Sequence, residues 1–251
     1  AEPLVLAAAR SLTTFLGAGE LVTRKLVSEV LTEHFGGSDA TGRWSVRDAH
    51  AALELAQVLW LRGRVPFDLK TSPAVAEELF ALLEGLVPSQ TTRSDEQIEW
   101  QQFATPPGLA WLAARACALK AGECVLEPSA GTGMLAIWAA KAGRLLALNE
   151  ISPLRRDCLA ALFEGAQITG HDGELIDEML DPVGCPSAVL MNPPYSHGIE
   201  RGHDGRTGAR HLRSAWKRLL PGGRLVAVMP EWFVPDRFLG GIAGPVALRL
   251  N

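Results

Sequence analysis

Apolar residues in the first third of the chain recur at helical spacing. Val22, Leu26, Val27, Val30 and Leu31 share one stripe, and Gly36-Gly37 then supplies the left-handed stop that a helix end favours. Ser45, with Asp48 three residues on, has the spacing of a capping box and opens a helix through Ala49, Leu53, Ala56 and Trp60. Ser72-Pro73 opens another, with Val75, Leu79, Leu82, Leu83 and Leu86 on one face. The pattern predicts a helical domain of four helices over residues 1–87, followed by a polar, turn-rich linker over 88–100. From residue 101 the period changes. Short apolar runs near 123–127, 144–149, 166–170, 187–191 and 224–229 alternate with helical segments near 108–119, 132–142, 153–164, 174–180 and 208–219. That alternation, with short connections, predicts an α/β domain over 101–251, a Rossmann-like, doubly wound, mostly parallel sheet covered on both faces. A sixth strand is expected to begin at Val246. The run to Leu250 reads as a strand cut short, as in a piece of a longer polypeptide.

Composition narrows the class. The chain has 251 residues, 47% of them hydrophobic, enough for a full α/β core and a smaller domain besides. A net charge of −4 excludes a general polyanion-coating protein, so nucleic acid would have to be met by a local patch. Cys117, Cys124, Cys158 and Cys185 show no C-x-x-C spacing, which reads as reduced core thiols and no metal site. Residues 3–9 are apolar but too few to span a bilayer, and no basic segment precedes them. A cytoplasmic protein with no membrane partner is expected.

The chemistry concentrates at Asn192-Pro193-Pro194-Tyr195, which holds the only tyrosine. The apolar run Ser187–Met191 places this turn at the carboxyl end of a buried strand, where open α/β sheets bind ligands. An exocyclic amine on a base or amide shares its lone pair with a π system and is a poor nucleophile. Two carbonyls, from the Asn192 side chain and the Pro193 backbone, can accept its two N–H groups and aim the lone pair at an incoming methyl group. The prolines hold the turn rigid, and Tyr195 can stack on a planar acceptor.

A second loop follows the first strand. In Glu127-Pro-Ser129-Ala130-Gly131-Thr-Gly133, the glycines let the backbone approach a ligand closely. Gly131-x-Gly133-x-x-Ala136, with Glu150 after the second strand, also fits a dinucleotide fingerprint, so a nicotinamide cofactor is an alternative. Glu127 weighs against it, because a carboxylate beside a pyrophosphate is repelled whereas a sulfonium is attracted. Asn149 and Glu150 end the second strand, and Glu150 can accept from ribose hydroxyls. Asp172-Gly173, past the third strand, can meet an adenine amine, with a helix N-cap as the structural alternative for Asp172.

With these motifs in view, the sequence resembles the S-adenosylmethionine-dependent methyltransferases that act on adenine N6 in DNA. Gln102-Phe103-Ala104-Thr105-Pro106-Pro107 resembles their upstream motif, Glu127–Gly133 their first motif, and Asn192–Tyr195 their catalytic one. The likeness covers about residues 100–235. It implies a class I methyltransferase fold, S-adenosylmethionine as cofactor, no metal, and contacts from Phe103, Thr105 and Pro106 to that cofactor. Residues 1–64, with Phe35–Trp44, are more distantly similar to the front of methylase–helicase fusions of the strawberry notch type on mobile elements. The chain departs from the family in ending before a target-recognition domain could form.

For the substrate, Ser196–Arg218 carries Arg201, Arg206, Arg210, Arg213, Lys217 and Arg218 against Glu200 and Asp204, a local balance of +4. With His197, His203 and His211 it reads as a phosphate-contacting patch beside the catalytic turn, toward single-stranded or opened DNA, with a solvated helix face as the plain alternative. A helicase or target-recognition region would suit the rest of such a polypeptide. Methylation at cytosine C5 is set aside, because Cys185-Pro186 precedes its strand and stands at the wrong sheet end. Two further readings stay open: a glutamine methyltransferase acting on release factors, and a non-catalytic methylase-like module.

Overall fold

The computed structural model describes residues 2–88, 105–120, 122–143, 145–181, 186–195 and 206–234. The expected sixth strand at Val246, most of the 88–100 linker, Phe103, Cys185, Arg201, His197 and His203 lie outside these residues.

Four helices precede the sheet: α1 (Leu4–Ala18), α2 (Arg24–Phe35), α3 (Val46–Gly63) and α4 (Pro73–Leu86). Their starts follow the chain's polar punctuation. Thr23 caps α2 and Ser72 caps α4, while Ser45 and Asp48 form the reciprocal capping box that opens α3. Gly36 ends α2 at φ 68°, in the left-handed region. Trp60 Nε1 donates to Leu16 O at 3.0 Å, tying α3 to α1.

The remainder alternates: α5 (Pro107–Ala116), β1 (Cys124–Glu127), α6 (Ala136–Lys141), β2 (Leu145–Asn149), α7 (Pro153–Leu162), β3 (Gln167–Thr169), a 3-10 turn (Gly173–Leu175) running into α8 (Ile176–Met179), β4 (Ala188–Met191), α9 (Thr207–Arg218) and β5 (Arg224–Ala227). Among the described residues the sheet has five strands in the order β3-β2-β1-β4-β5, and every pairing is parallel. The protein is thus a doubly wound, Rossmann-like α/β fold, and the switch in strand order falls between β1 and β4.

Strand alternation sorts the core into two faces. Val125, Leu146, Leu148, Ala188 and Leu190 join one hydrophobic cluster, and their neighbours Leu126, Ala147, Val189 and Met191 join the other, with Ile176, Leu212 and Ala215 of α8 and α9. The first cluster is continuous with α1–α4. Phe67 and Phe80 from the front meet Trp111 and Trp138 from α5 and α6 edge to face, the Phe67–Trp138 centroids being 5.4 Å apart. Lys141 Nζ donates to Arg64 O at 2.6 Å, and the Arg62 guanidinium donates to Leu162 O. The helical part therefore covers one face of the sheet and shares a core with it.

No described helix is long and apolar enough to cross a membrane. Burial pushes the Cys117 thiol up to about 11 and Cys158 to about 12, so both stay protonated and unreactive near neutral pH.

Candidate active site

The crevice at the strand-order switch is bordered by the loops that leave β1 and β4. These are the two stretches singled out by their residue types, Glu127–Gly133 and Asn192–Tyr195.

The β1 loop is built around carboxylates. Glu127, the last residue of β1, is 3% exposed, and its Oε2 has no hydrogen-bond partner. Burial first, then the neighbouring Glu150 charge, push its carboxyl well above the usual range, against an opposing hydrogen bond from the Ala136 N–H. Glu150, also buried, spans the loop: Oε2 accepts from Gly131 N–H at 2.8 Å and Oε1 from Ser152 N–H at 2.8 Å. Each oxygen keeps a lone pair, so acceptance from a ribose hydroxyl stays chemically open. Ala130 N–H donates to Asn149 O and Gly133 N–H to Ala130 O, both at 2.8 Å.

Those bonds discriminate between cofactors. A pyrophosphate needs backbone N–H groups turned toward it, and here the N–H groups of Ala130, Gly131 and Gly133 are all spent inside the protein. An unpartnered buried carboxylate oxygen beside a second carboxylate favours a cation instead. The residues fit the positively charged end of S-adenosylmethionine, and three N–H groups of the loop are not offered to a pyrophosphate.

The glycines divide by role. A Cβ on Gly131, at φ +55°, would meet nothing within 4 Å, so its open side admits a ligand. Gly133 and Gly173 differ from the expectation. At Gly133, φ +90°, a Cβ would lie 2.6 Å from the Phe163 ring, so this glycine serves packing against Phe163 and Leu159. At Gly173 a Cβ would lie 2.6 Å from the His211 ring.

The Asn149 side chain is likewise engaged within the protein. Its Nδ2 donates to Pro128 O and His171 O at 3.0 and 2.9 Å, and Oδ1 accepts from Thr169 Oγ1 and His171 N–H at 2.9 and 2.8 Å. Both donors and both acceptor positions are used, which locks the exits of β1, β2 and β3 together. Asp172 caps the 3-10 turn through Oδ1, which accepts from Glu174 N–H at 2.9 Å, while remaining exposed at the crevice side of β3. Ser129 stands in the β1 loop, and Pro106 is the exposed cap of α5.

The β4 turn carries no charge. Asn192 Nδ2 donates to Thr105 Oγ1 at 3.0 Å, and the Tyr195 hydroxyl donates to Asn192 Oδ1 at 2.7 Å. Pro193 is buried and Pro194 half-buried, so the turn is held between them. Burial raises the Tyr195 phenol to about 12, which keeps it a donor. Thr105, expected beside the cofactor, is buried against Asn192.

Three cations of the basic stretch have partners within the protein. Arg210 makes a two-pronged contact with Glu174 at 2.6 and 2.9 Å, Lys217 reaches Asp177 at 2.7 Å, and Arg218 Nη2 donates to Asp181 O at 2.6 Å. Cations about two helical turns apart on α9 thus bind the acidic segment 174–181 beside it. His211, also expected toward phosphate, is 5% exposed, with Nδ1 3.1 Å from Thr207 O.

One contributor went unnoticed in the sequence. Glu54 of α3 is 2% exposed and lies 3.6 Å from Arg155, itself buried at the start of α7. Burial raises its carboxyl, opposed by Arg155, His50 and a hydrogen bond with Thr132 of the glycine loop. An acid flanked by Leu53 and Leu55 in a helix's buried run was the available signal.

No known family model matches the chain. Ribosomal RNA small subunit methyltransferase C of Chromohalobacter salexigens is 29% identical over 119 residues, which is 47% of this chain and 35% of that protein. The chain thus spans about a third of that relative's length. Among solved structures, TrmN from Thermus thermophilus is 22% identical over 73% of this chain and 68% of its own, with a TM-score of 0.40. A type I restriction-modification methyltransferase subunit from Streptococcus thermophilus is 16% identical over 85% and 57%, with a TM-score of 0.39.

Proposed function

We propose that the protein is an S-adenosylmethionine-dependent methyltransferase whose acceptor is the N6 amine of adenine in DNA. One observation carries the reading: the Glu127 carboxylate, with one oxygen unpartnered, and the hydroxyl-clamped amide of Asn192 stand at the ends of neighbouring strands at the switch point. The cofactor supplies an electrophilic methyl group on a positively charged sulfur. Glu127 draws the cationic end into the β1 loop, the open side of Gly131 lets it approach the backbone, and Glu150 and Asp172 face its hydroxyls and adenine. Asn192 Oδ1 and the Pro193 carbonyl accept the amine's N–H groups, which holds the nitrogen with its lone pair toward the methyl group. Asn192 Oδ1 takes this bond on the lone pair that Tyr195 leaves, and the Tyr195 ring stacks on the base.

The motif resemblance favours DNA. Lys217 keeps 66% of its side chain exposed while bound to Asp177, so it can also meet a phosphate. A helicase or target-recognition region beyond this stretch, and a mobile-element setting, belong to the same proposal. A second reading, an amine in ribosomal RNA, is favoured by the name of the Chromohalobacter relative.

The test uses isotope-labelled S-adenosylmethionine with adenine-containing DNA, small-subunit ribosomal RNA or a release factor as acceptor, followed by nuclease digestion and mass spectrometry. Label recovered as N6-methyladenine from DNA is the expected result. Label in RNA alone moves the acceptor to RNA, and label in protein alone overturns the nucleic-acid reading. Calorimetry showing heat with NAD and none with S-adenosylmethionine would overturn the cofactor.

A further inference from the structure

Thr105 and Asn192 are 87 residues apart in the chain, yet each stands directly before a pair of prolines. Thr105 precedes Pro106-Pro107 and Asn192 precedes Pro193-Pro194. A residue before proline is confined to extended backbone, and threonine's β-branch stiffens χ1 as well. Pro107 is the first residue of α5, whose buried Trp111 and Ala114 anchor it in the core. Thr105 is 9% exposed, so water has little access to replace its hydroxyl. The 3.0 Å bond from Asn192 Nδ2 to Thr105 Oγ1 therefore joins two stiff supports.

The structure gives that bond a direction, Asn192 Nδ2 donating and the Thr105 hydroxyl accepting. A primary amide has two ends, and only the oxygen can accept from an amine's N–H. An amide turned by 180° would point donors at a donor and activate nothing. Nitrogen held at Thr105 leaves oxygen on the side of Tyr195, whose hydroxyl donates to it at 2.7 Å.

We propose that Thr105 is a positioning residue for the methyl-transfer step, its hydroxyl holding the Asn192 amide with the carbonyl oxygen toward the acceptor amine. This rests on the reading of Asn192 as the amine's acceptor. It also gives Thr105 a different task from the cofactor contact that the motif resemblance implies.

The variants are Thr105→Val, which keeps the shape and removes the acceptor, and Thr105→Ser, which keeps the hydroxyl. Each is measured for kcat at saturating cofactor on the acceptor labelled in the assay above, and for S-adenosylmethionine affinity by calorimetry. Thr105→Val is expected to lose about tenfold in kcat, the loss that follows from removing one neutral hydrogen bond. Cofactor affinity is expected to stay within about twofold, and Thr105→Ser to recover most of the rate. An unchanged kcat, or a cofactor affinity about tenfold weaker at unchanged kcat, overturns the proposal. Should Thr105→Val lower the melting temperature, the kcat ratio of Thr105→Ser to Thr105→Ala, taken below both transitions, decides, and a ratio near one overturns it. Failure of the underlying reading looks different: Asn192→Ala would still turn over, whatever Thr105 does.

Discussion

The loops after β1 and β4 leave adjacent strands and border one crevice, yet they handle buried polarity in opposite ways. After β1, Glu127 is buried with one oxygen unpartnered, next to the carboxylate of Glu150. The β4 turn, Asn192–Tyr195, carries no charge, and both ends of the Asn192 amide already hold a partner. The first loop is electrostatically incomplete until a cation arrives, which suits a group that must attract. The second is complete before any ligand arrives, which suits a group that must aim.

The sharpest way to break this contrast is Asn192→Ala. Turnover is expected to fall by at least about a hundredfold, the scale seen when a fixed transition-state hydrogen-bonding group is removed. Cofactor affinity should move only a few fold, since the side chain lies on the aiming side. Calorimetry and single-turnover rates read both, and an undiminished rate would remove Asn192 from the chemistry.

Glu127→Gln probes the attracting side with an intermediate effect. The folded-state carboxyl of Glu127 is raised above its ordinary value of 4.5, so its contribution to stability is full below that value and is lost as pH rises through the raised one. The ligand-free protein should therefore melt at progressively lower temperature as pH climbs from the ordinary carboxylate range. Cofactor binding should tighten over the same interval, because the ionised form attracts the cation. Glu127→Gln is expected to flatten both trends and raise the ligand-free melting temperature at neutral pH. Parallel pH dependences in variant and wild type would show that Glu127 is not the responsive group.

Arg210→Ala should have the smallest effect and sharpens the contrast from outside. Its partly exposed bond to Glu174 ties α9 to the 174–181 segment. Thermal melting should register a loss of no more than about 1 kcal/mol, with cofactor affinity unchanged. A change in affinity would mean that the β3 turn, through Asp172, transmits to the cofactor side.

Much of this arrangement was readable from residue order. The strand positions follow from apolar runs bounded by turns, and the capping box at Ser45 and Asp48 forms as its spacing requires. The two loops could be placed because strand ends are where a parallel sheet exposes its chain. Individual roles were harder. Gly133 and Gly173 read as ligand-facing because glycine is small, but the space beside them is filled by Phe163 and His211, which lie 30 and 38 residues away. Asn149 read as a ligand residue because of where it stands, yet its amide is consumed by Pro128, Thr169 and His171. Arg210 and Lys217 read as part of a patch because charge counts say nothing about which acidic segment lies alongside.

By itself the amino-acid order determined the periodicities, hence the helices, the parallel strands and the chemical types available at their ends. Those properties are local, set by the spacing of apolar side chains and by a few caps and prolines. Only tertiary structure decided which polar groups were left over. It spent Asn149 on three strand exits, left Glu127 Oε2 without a partner, set Glu54 from the front helices beneath the glycine loop, and brought Thr105 to Asn192 across 87 residues. Hydrogen bonds and charges saturate pairwise in space, so what a residue has free to offer a ligand depends on neighbours that sequence distance does not reveal.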